Sequence, residues 1–235
     1  MIEGLVDPDT AIGGPNRHFP STRQTLLDAA AEGLDGEALD RVVALYWKPV
    51  YHFVRVKFRK SNEDAKDLTQ SFFATALQRE LFARFDPAKA SFRTYLRMAV
   101  ERFAANEHSA AQRLKRGGGV TFEPVEEQCA ATESPEQIFE REWQRQLFAL
   151  ALEDVRSLCE ATGKSTQWEV FAAYDLSGER PSYAELAACL GIPETAVTNY
   201  LAWARRTLRG LVTERLRSVT TGERELREEM RRLWI

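Results

Sequence analysis

The sequence predicts an all-α protein: two small helical domains joined by an acidic linker, the second carrying a helix-turn-helix. Three observations carry that expectation. Apolar residues recur at helical spacing along most of the chain, and no stretch of any length alternates in the manner of a strand. A segment rich in Gly, Pro, Ser, Thr and acids interrupts the helical signal near the middle. Finally, Ser182 to Arg209, SYAELAACLGIPETAVTNYLAWARRTLR, reads as two helices around a tight turn.

Residues 1–20, rich in Gly, Pro and Asp, are expected to form a flexible lead-in. The first domain is expected over residues 21–117. Leu26, Leu27 and Ala30 begin one amphipathic segment, and Leu39, Val42, Val43 and Tyr46 lead to Val50, Phe53 and Val54 across Pro49. Proline lacks the amide hydrogen and crowds the preceding turn, so a break or kink is expected there. Asn62 to Leu81 reads as a helix with Asn62 as N-cap and Ala65, Leu68, Phe72 and Ala76 as its stripe. The DPAKAS loop precedes a long helix from Phe92 to about Lys115, which the three glycines at 117–119 end. Residues 118–135 are the acidic linker. In the second domain, 136–217, one long helix carries Trp143, Leu147, Leu150, Ala151 and Val155, and a shorter one carries Trp168, Phe171 and Ala172. A C-terminal amphipathic tail, 218–235, places Leu226, Met230, Leu233 and Trp234 on one stripe; it is expected to dock on the second domain, the alternative being a regulator.

In the helix-turn-helix, Ser182 and Glu185 have capping-box spacing, Gly191 suits a left-handed turn, and Pro193 fits the start of the next helix. Val197, Leu201, Ala204 and Leu208 fall in one sector of that helix, leaving Thr195, Asn199, Ala202, Trp203 and Arg206 around the other side. Thr and Asn can address base edges in a major groove, and Arg205, Arg206 and Arg209 can reach phosphates. An ordinary packed helical hairpin uses the same signals, so pattern alone leaves both readings open.

With 44% hydrophobic and 29% charged residues, the chain has the composition of a soluble globular protein, and its net charge of −3 argues against bulk coating of nucleic acid. Charge is unevenly distributed. Arg84, Lys89, Arg93, Arg97, Arg102, Arg113, Lys115 and Arg116 share a segment with Asp86, Glu101 and Glu107 as its acids, and the stretch that follows is dominated by Glu. Opposite solvated faces, or different partners for the two segments, fit this pattern. Cys129, Cys159 and Cys189 are isolated thiols without a CxxC pair or a His at ligand spacing, so neither a disulfide framework nor a metal site is expected. No membrane span or signal peptide is legible, which predicts a cytoplasmic protein. His18, His52 and His108 are scattered and no phosphate-cradling loop is present, so neither catalytic residues nor cofactors are expected.

EDAKDLTQSFFATAL from Glu63, followed by FDPAKASFRTYLRMAVERFAANEHSAAQRLKRGGG, resembles region two of bacterial sigma factors, and the helix-turn-helix segment resembles their region four. Both occur in order, separated by a linker, over roughly residues 19 to 217, the arrangement of the extracytoplasmic-function (ECF) group. FPSTR, DLTQ with FF, and NE before LKRGGG are similar to sigma-factor groups encoded near Ser/Thr kinases. The resemblance implies a non-enzymatic subunit that binds core RNA polymerase, directs it to promoter DNA and helps melt the −10 region. The runner-up reading is a one-component helix-turn-helix regulator that never binds polymerase.

For core binding, through the β′ clamp helices and β, the resemblance points to Asp64, Asp67, Leu68, Gln70, Phe72 and Phe73. The family helix reads DAEDLVQETF, and this chain has Lys66 and Ser71 where glutamates are usual, a change of about three charge units. Thr69 and Ser71 lie beside that deficit, and a phosphate on either would add about 1.5 to 2 negative charges. A Ser/Thr kinase is therefore one possible partner and an anti-sigma factor another. For −10 DNA the resemblance implies Lys89, Arg93, Tyr95, Arg97, Arg102, Asn106, His108 and Arg113, which combine cations for the backbone with planar groups and an amide for extruded bases. For the −35 duplex it implies Thr195, Thr198, Asn199, Ala202, Trp203, Arg205 and Arg206. The acidic linker would thread toward the polymerase active-site channel.

Overall fold

A computed structural model describes residues 36–78, 81–86, 88–115 and 133–234, and these hold eight α-helices and no strand. We number them α1 (Gly36–Lys57), α2 (Asn62–Gln78), α3 (Phe92–Lys115), α4 (Pro135–Ala161), α5 (Ser165–Phe171), α6 (Tyr183–Leu190), α7 (Glu194–Ser218) and α8 (Glu223–Leu233). The helix expected around Leu26 to Ala30, most of the expected linker, and Cys129 lie outside the described residues. The described chain divides into two compact units. The amino-terminal unit takes residues 36–146 with 218–225; the carboxy-terminal unit takes 147–217 with 226–234.

The amino-terminal unit is built on α1, which runs unbroken through Pro49. The pyrrolidine ring is buried, and the Gln146 side-chain amide donates to the Ala44 carbonyl at 2.9 Å, one residue before the carbonyl that Pro49 deprives of its donor. Tertiary packing outweighs the local defect: Val42, Tyr46, Val50 and Phe53 on one side of α1 are all fully buried. Helix α2 is capped by Ser61, whose Oγ accepts from the Asp64 amide at 3.1 Å, while Asn62 instead accepts from the Tyr51 hydroxyl. The expected cap was thus one residue late. Phe92, Leu96 and Val100 of α3 complete the core together with Ile138, Phe139 and Trp143 of α4.

That last contribution differs from the sequence expectation. Helix α4 begins with a capping box, in which Ser134 Oγ accepts from the Gln137 amide and Gln137 Oε1 accepts from the Ser134 amide. Its residues 135–146 belong to the amino-terminal unit, so the units divide at 146/147 and not near Glu136. Lys57 of α1 bridges Glu101 at 2.7 Å and Glu136 at 3.1 Å, and Arg93 of α3 meets Glu140 at 2.8 Å while lying 3.9 Å from the Trp143 ring. These ties fasten the first half of α4 across α1 and α3.

In the carboxy-terminal unit, Val170, Phe171, Leu186, Ala187, Val197, Leu201 and Ala204 form one buried cluster. Helix α5 widens into a π-helical turn over Ala172–Leu176. Residues 226–234 pack within this unit, where Trp234 meets Phe148 at 5.6 Å and Thr213 donates to the Met230 sulfur. Residues 226–234, which carry the amphipathic stripe, thus pack with 147–217, whereas 218–225 of the expected tail belong to the amino-terminal unit.

Candidate functional site

Three surfaces bear on the residues that the sequence singles out. The first is α2. Ala65, Thr69, Phe72, Phe73 and Ala76 face the core, so Asp64, Asp67, Gln70 and Ser71 are left exposed and Leu68 half-buried. Phe72 and Phe73, expected as surface anchors, are core residues: Phe73 stacks on Trp47 at 5.8 Å and Phe72 meets Phe103 edge-on at 5.7 Å. The spacing already placed Phe72 on the apolar stripe, and that signal outranks the family's use of the helix. Thr69 is also fully buried, its hydroxyl donating to the Ala65 carbonyl at 2.7 Å. Lys66 reaches Glu63 at 3.9 Å, which leaves the acidic character of this face to Asp64 and Asp67.

The second surface is a pocket of about 480 Å³ in the amino-terminal unit. Tyr95, Met98, Arg102 and Asn106 contribute to it at i, i+3, i+7 and i+11 along α3, a single helical stripe. Its floor is apolar, from Phe72, Ala76, Ala99 and Phe103; its cations are Arg84, Lys89 and Arg102 against one acid, Asp86. Loop geometry is set by that acid. Asp86 Oδ1 accepts from the Ala88 amide at 3.0 Å and its carboxylate meets Lys89 at 2.9 Å, and these two bonds, the lysine's foremost, hold the Asp86 carboxyl below its ordinary range. Tyr95 donates to the Leu81 carbonyl at 2.9 Å and packs against Phe85, so it forms a rigid wall; burial pushes its hydroxyl pKa up and keeps it a donor.

Not every expected −10 residue shares this pocket. Lys89, Tyr95, Arg102 and Asn106 line it, whereas Arg93 is buried under Glu140 and Trp143, and Arg97 lies half-buried on the same side of α3 as Arg93. His108 and Arg113 are on α3, but their side chains lie outside the described residues. Arg84 and Met98 line the pocket although the sequence did not mark them as site residues. The spacing from Tyr95 to Arg102 was the available signal for Met98.

The third surface is α7. Ser182 Oγ accepts from the Glu185 amide at 3.2 Å, Glu185 accepts from the Ser182 amide at 2.8 Å, and Gly191 adopts φ 64°. The Pro193 carbonyl then accepts from Ala196 and Val197, starting α7. Val197, Leu201 and Ala204 are fully buried, so Thr195, Thr198, Asn199, Ala202 and Arg206 are exposed together. Trp203 differs: it is half-buried against the hydrophobic cluster, with Lys164 4.5 Å from its ring. Arg205 is held by Asp175, and Arg209 lies 5.6 Å from the Trp234 ring.

A helix-turn-helix with an exposed polar face that follows, in sequence, a helical unit with a cation-rimmed pocket is the arrangement expected of a transcription factor of the sigma type. The family model described as ECF sigma factor matches residues 23–230, nearly the whole length, and the chain belongs to that family. Comparison with curated proteins gives no match. ECF sigma factors are non-enzymatic factors that act in transcription initiation by binding core RNA polymerase and promoter DNA. Among the described residues no helix is long and apolar enough to cross a membrane.

Proposed function

We propose that this ECF sigma factor receives an unpaired −10 base in the α3 pocket while α7 reads the −35 duplex and α2 holds the β′ clamp helices. The observation that carries this reading is the pocket: an apolar floor suits a base's flat face, Arg84, Lys89 and Arg102 suit its backbone, and the Asn106 amide offers both a donor and an acceptor to its edge. Core binding falls to Asp64, Asp67, Leu68 and Gln70, with Phe72 and Phe73 shaping the helix from beneath. Base contacts at −35 fall to Thr195, Thr198, Asn199 and Ala202, with Arg206 on phosphate.

Regulation acts on the α2 deficit. A phosphate at Ser71 would restore negative charge on an exposed position, whereas one at Thr69 requires the helix face to open first, because that hydroxyl is spent inside the core. A Ser/Thr kinase is the partner this implies, and an anti-sigma factor would act by covering the same face.

The test is Asn106→Ala in polymerase holoenzyme, read by permanganate footprinting of the −10 region. Opening should fall by about 5- to 150-fold, the loss of one bidentate base contact of roughly 1–3 kcal/mol, while −35 duplex binding is unchanged. Equal loss of both would mean a folding defect and would remove the pocket from the mechanism.

A further inference from the structure

Arg205 stands apart from the other arginines of α7. At about 100° per residue it lies roughly 70° from the centre of the buried stripe, while Arg206 lies almost opposite that stripe. Its guanidinium is held in a fork: Nε donates to Asp175 Oδ2 and Nη2 to Asp175 Oδ1, each at 2.8 Å. The carboxylate comes from the π-helical turn Ala172–Leu176, an irregularity of the kind that re-aims side chains. Tyr174 of the same turn lies 5.7 Å from the Arg205 guanidinium and meets Tyr183 of α6 edge-on at 5.2 Å. Three elements thus converge on one charged pair.

A bidentate arginine–carboxylate pair is the strongest common form of side-chain ion pair and is electrically neutral as a unit. The Arg205 side chain is nevertheless 49% exposed, against 21% for Asp175, so it sits at the edge of the exposed face of α7. We propose that Asp175 masks the charge of Arg205, lowering sequence-independent attraction to DNA phosphates and so setting the basal DNA affinity of α7, while its exposed face remains open for base contacts. The inference rests on the assignment of α7 to duplex DNA. Its physical basis is that phosphate contacts raise affinity for every sequence equally, so withholding one lowers binding to all DNA by the same factor and leaves the choice among sequences to the base contacts. Arg209, covered by Trp234, keeps its full charge, since a ring supplies no counter-ion.

The test uses the full-length chain and a mixed-sequence DNA duplex, with affinity measured across salt concentrations. Each phosphate engaged steepens the dependence of log K on log salt by about 0.9, so one added contact makes the loss of affinity between 50 and 200 mM salt about 3.5-fold larger. Asp175→Asn should produce that added slope, and the double variant Asp175→Asn with Arg205→Gln, as neutral as the wild-type pair, should return to the wild-type slope. A merely structural role for Asp175 would lower stability without steepening the slope. If the double variant shows a flatter slope than wild type, Arg205 already contacts phosphate and the masking role is overturned; that arm decides the question even if Asp175→Asn alone fails to fold. An unchanged slope in a folded Asp175→Asn variant also overturns it. Arg206→Ala separates the two levels: if it reduces the slope by about 0.9, α7 is on the duplex and the outcome for Asp175 stands by itself, whereas no effect removes α7 from DNA and the inference with it.

Discussion

At the residue scale, burial sorts side chains that the sequence presents as equivalent. Phe72 and Asp67 both belong to the motif carrying the family resemblance, yet Phe72 is 3% exposed and Asp67 lies on the surface. Phe72→Ala should cost about 3–5 kcal/mol of stability through lost transfer energy and a cavity, seen as a fall in denaturant midpoint. Asp67→Ala should leave the midpoint within about 0.5 kcal/mol of wild type while weakening the complex with core polymerase. An intact polymerase affinity in folded Asp67→Ala would take this face out of the interface. His52 shows a second effect of burial. Its pKa is lowered chiefly by desolvation, with the Glu142 carboxylate 4.0 Å away pulling in the opposite sense. The unfolded chain takes up a proton near 6.5 and the folded one only at lower pH, so the stabilisation is complete above 6.5 and is lost as pH falls through the folded value. Thermal unfolding should therefore show stability declining below about pH 6.5, and His52→Gln should flatten that decline. An identical pH profile in the variant would assign the slope to other groups.

At the element scale, signals confined to a few neighbouring residues were legible, and those that depend on distant packing were not. The Ser182 capping box, the left-handed Gly191 and the buried stripe of α7 follow from spacing alone, because each involves contacts within about two helical turns. Pro49 misled because its cost, which is local, is outweighed by the burial of four large side chains around it. Asn62 misled because two candidate cap residues stand side by side, and the Tyr51 hydroxyl, eleven residues away, engages one of them. The π-helical turn left no periodic trace at all. Gly191 offers a clean test: nothing lies within 4 Å of a Cβ built there, so Gly191→Ala meets no clash and is penalised only for its positive φ. The expected penalty is about 1–2 kcal/mol, with duplex affinity reduced in parallel as the turn loosens. A variant as stable as wild type would mean that α6 and α7 tolerate another turn geometry.

At the scale of the whole molecule, the fold class and the order of its parts were legible, while the seam between them was not. Composition leads to the expectation of a linker, but it carries no record of the core that the first half of α4 joins, so Ile138, Phe139 and Trp143 fall in the expected second domain. Charge is also a property of this scale, because a protein meets a large partner through its summed field before any single contact forms. The chain is acidic overall, at −3, yet the α2 face carries Lys66 and Ser71 where the resemblance leads one to expect glutamates. Lys66→Glu with Ser71→Glu takes the net charge from −3 to −6, two units from the first change and one from the second. Lys66 also loses its pairing with Glu63 and gains a repulsion, each about 0.2–0.5 kcal/mol and together about 0.4–1 kcal/mol on an exposed helix. Restored attraction at the proposed clamp-binding face should exceed that, since exposed charges contribute up to about 1 kcal/mol each and act together on encounter. The double variant should therefore bind core polymerase about tenfold more tightly at low salt, with transcription rising without an activating signal and the gain shrinking as salt screens it. Equal affinity for the two proteins at both low and moderate salt would make the deficit neutral, and control would then have to act elsewhere than on this face of α2.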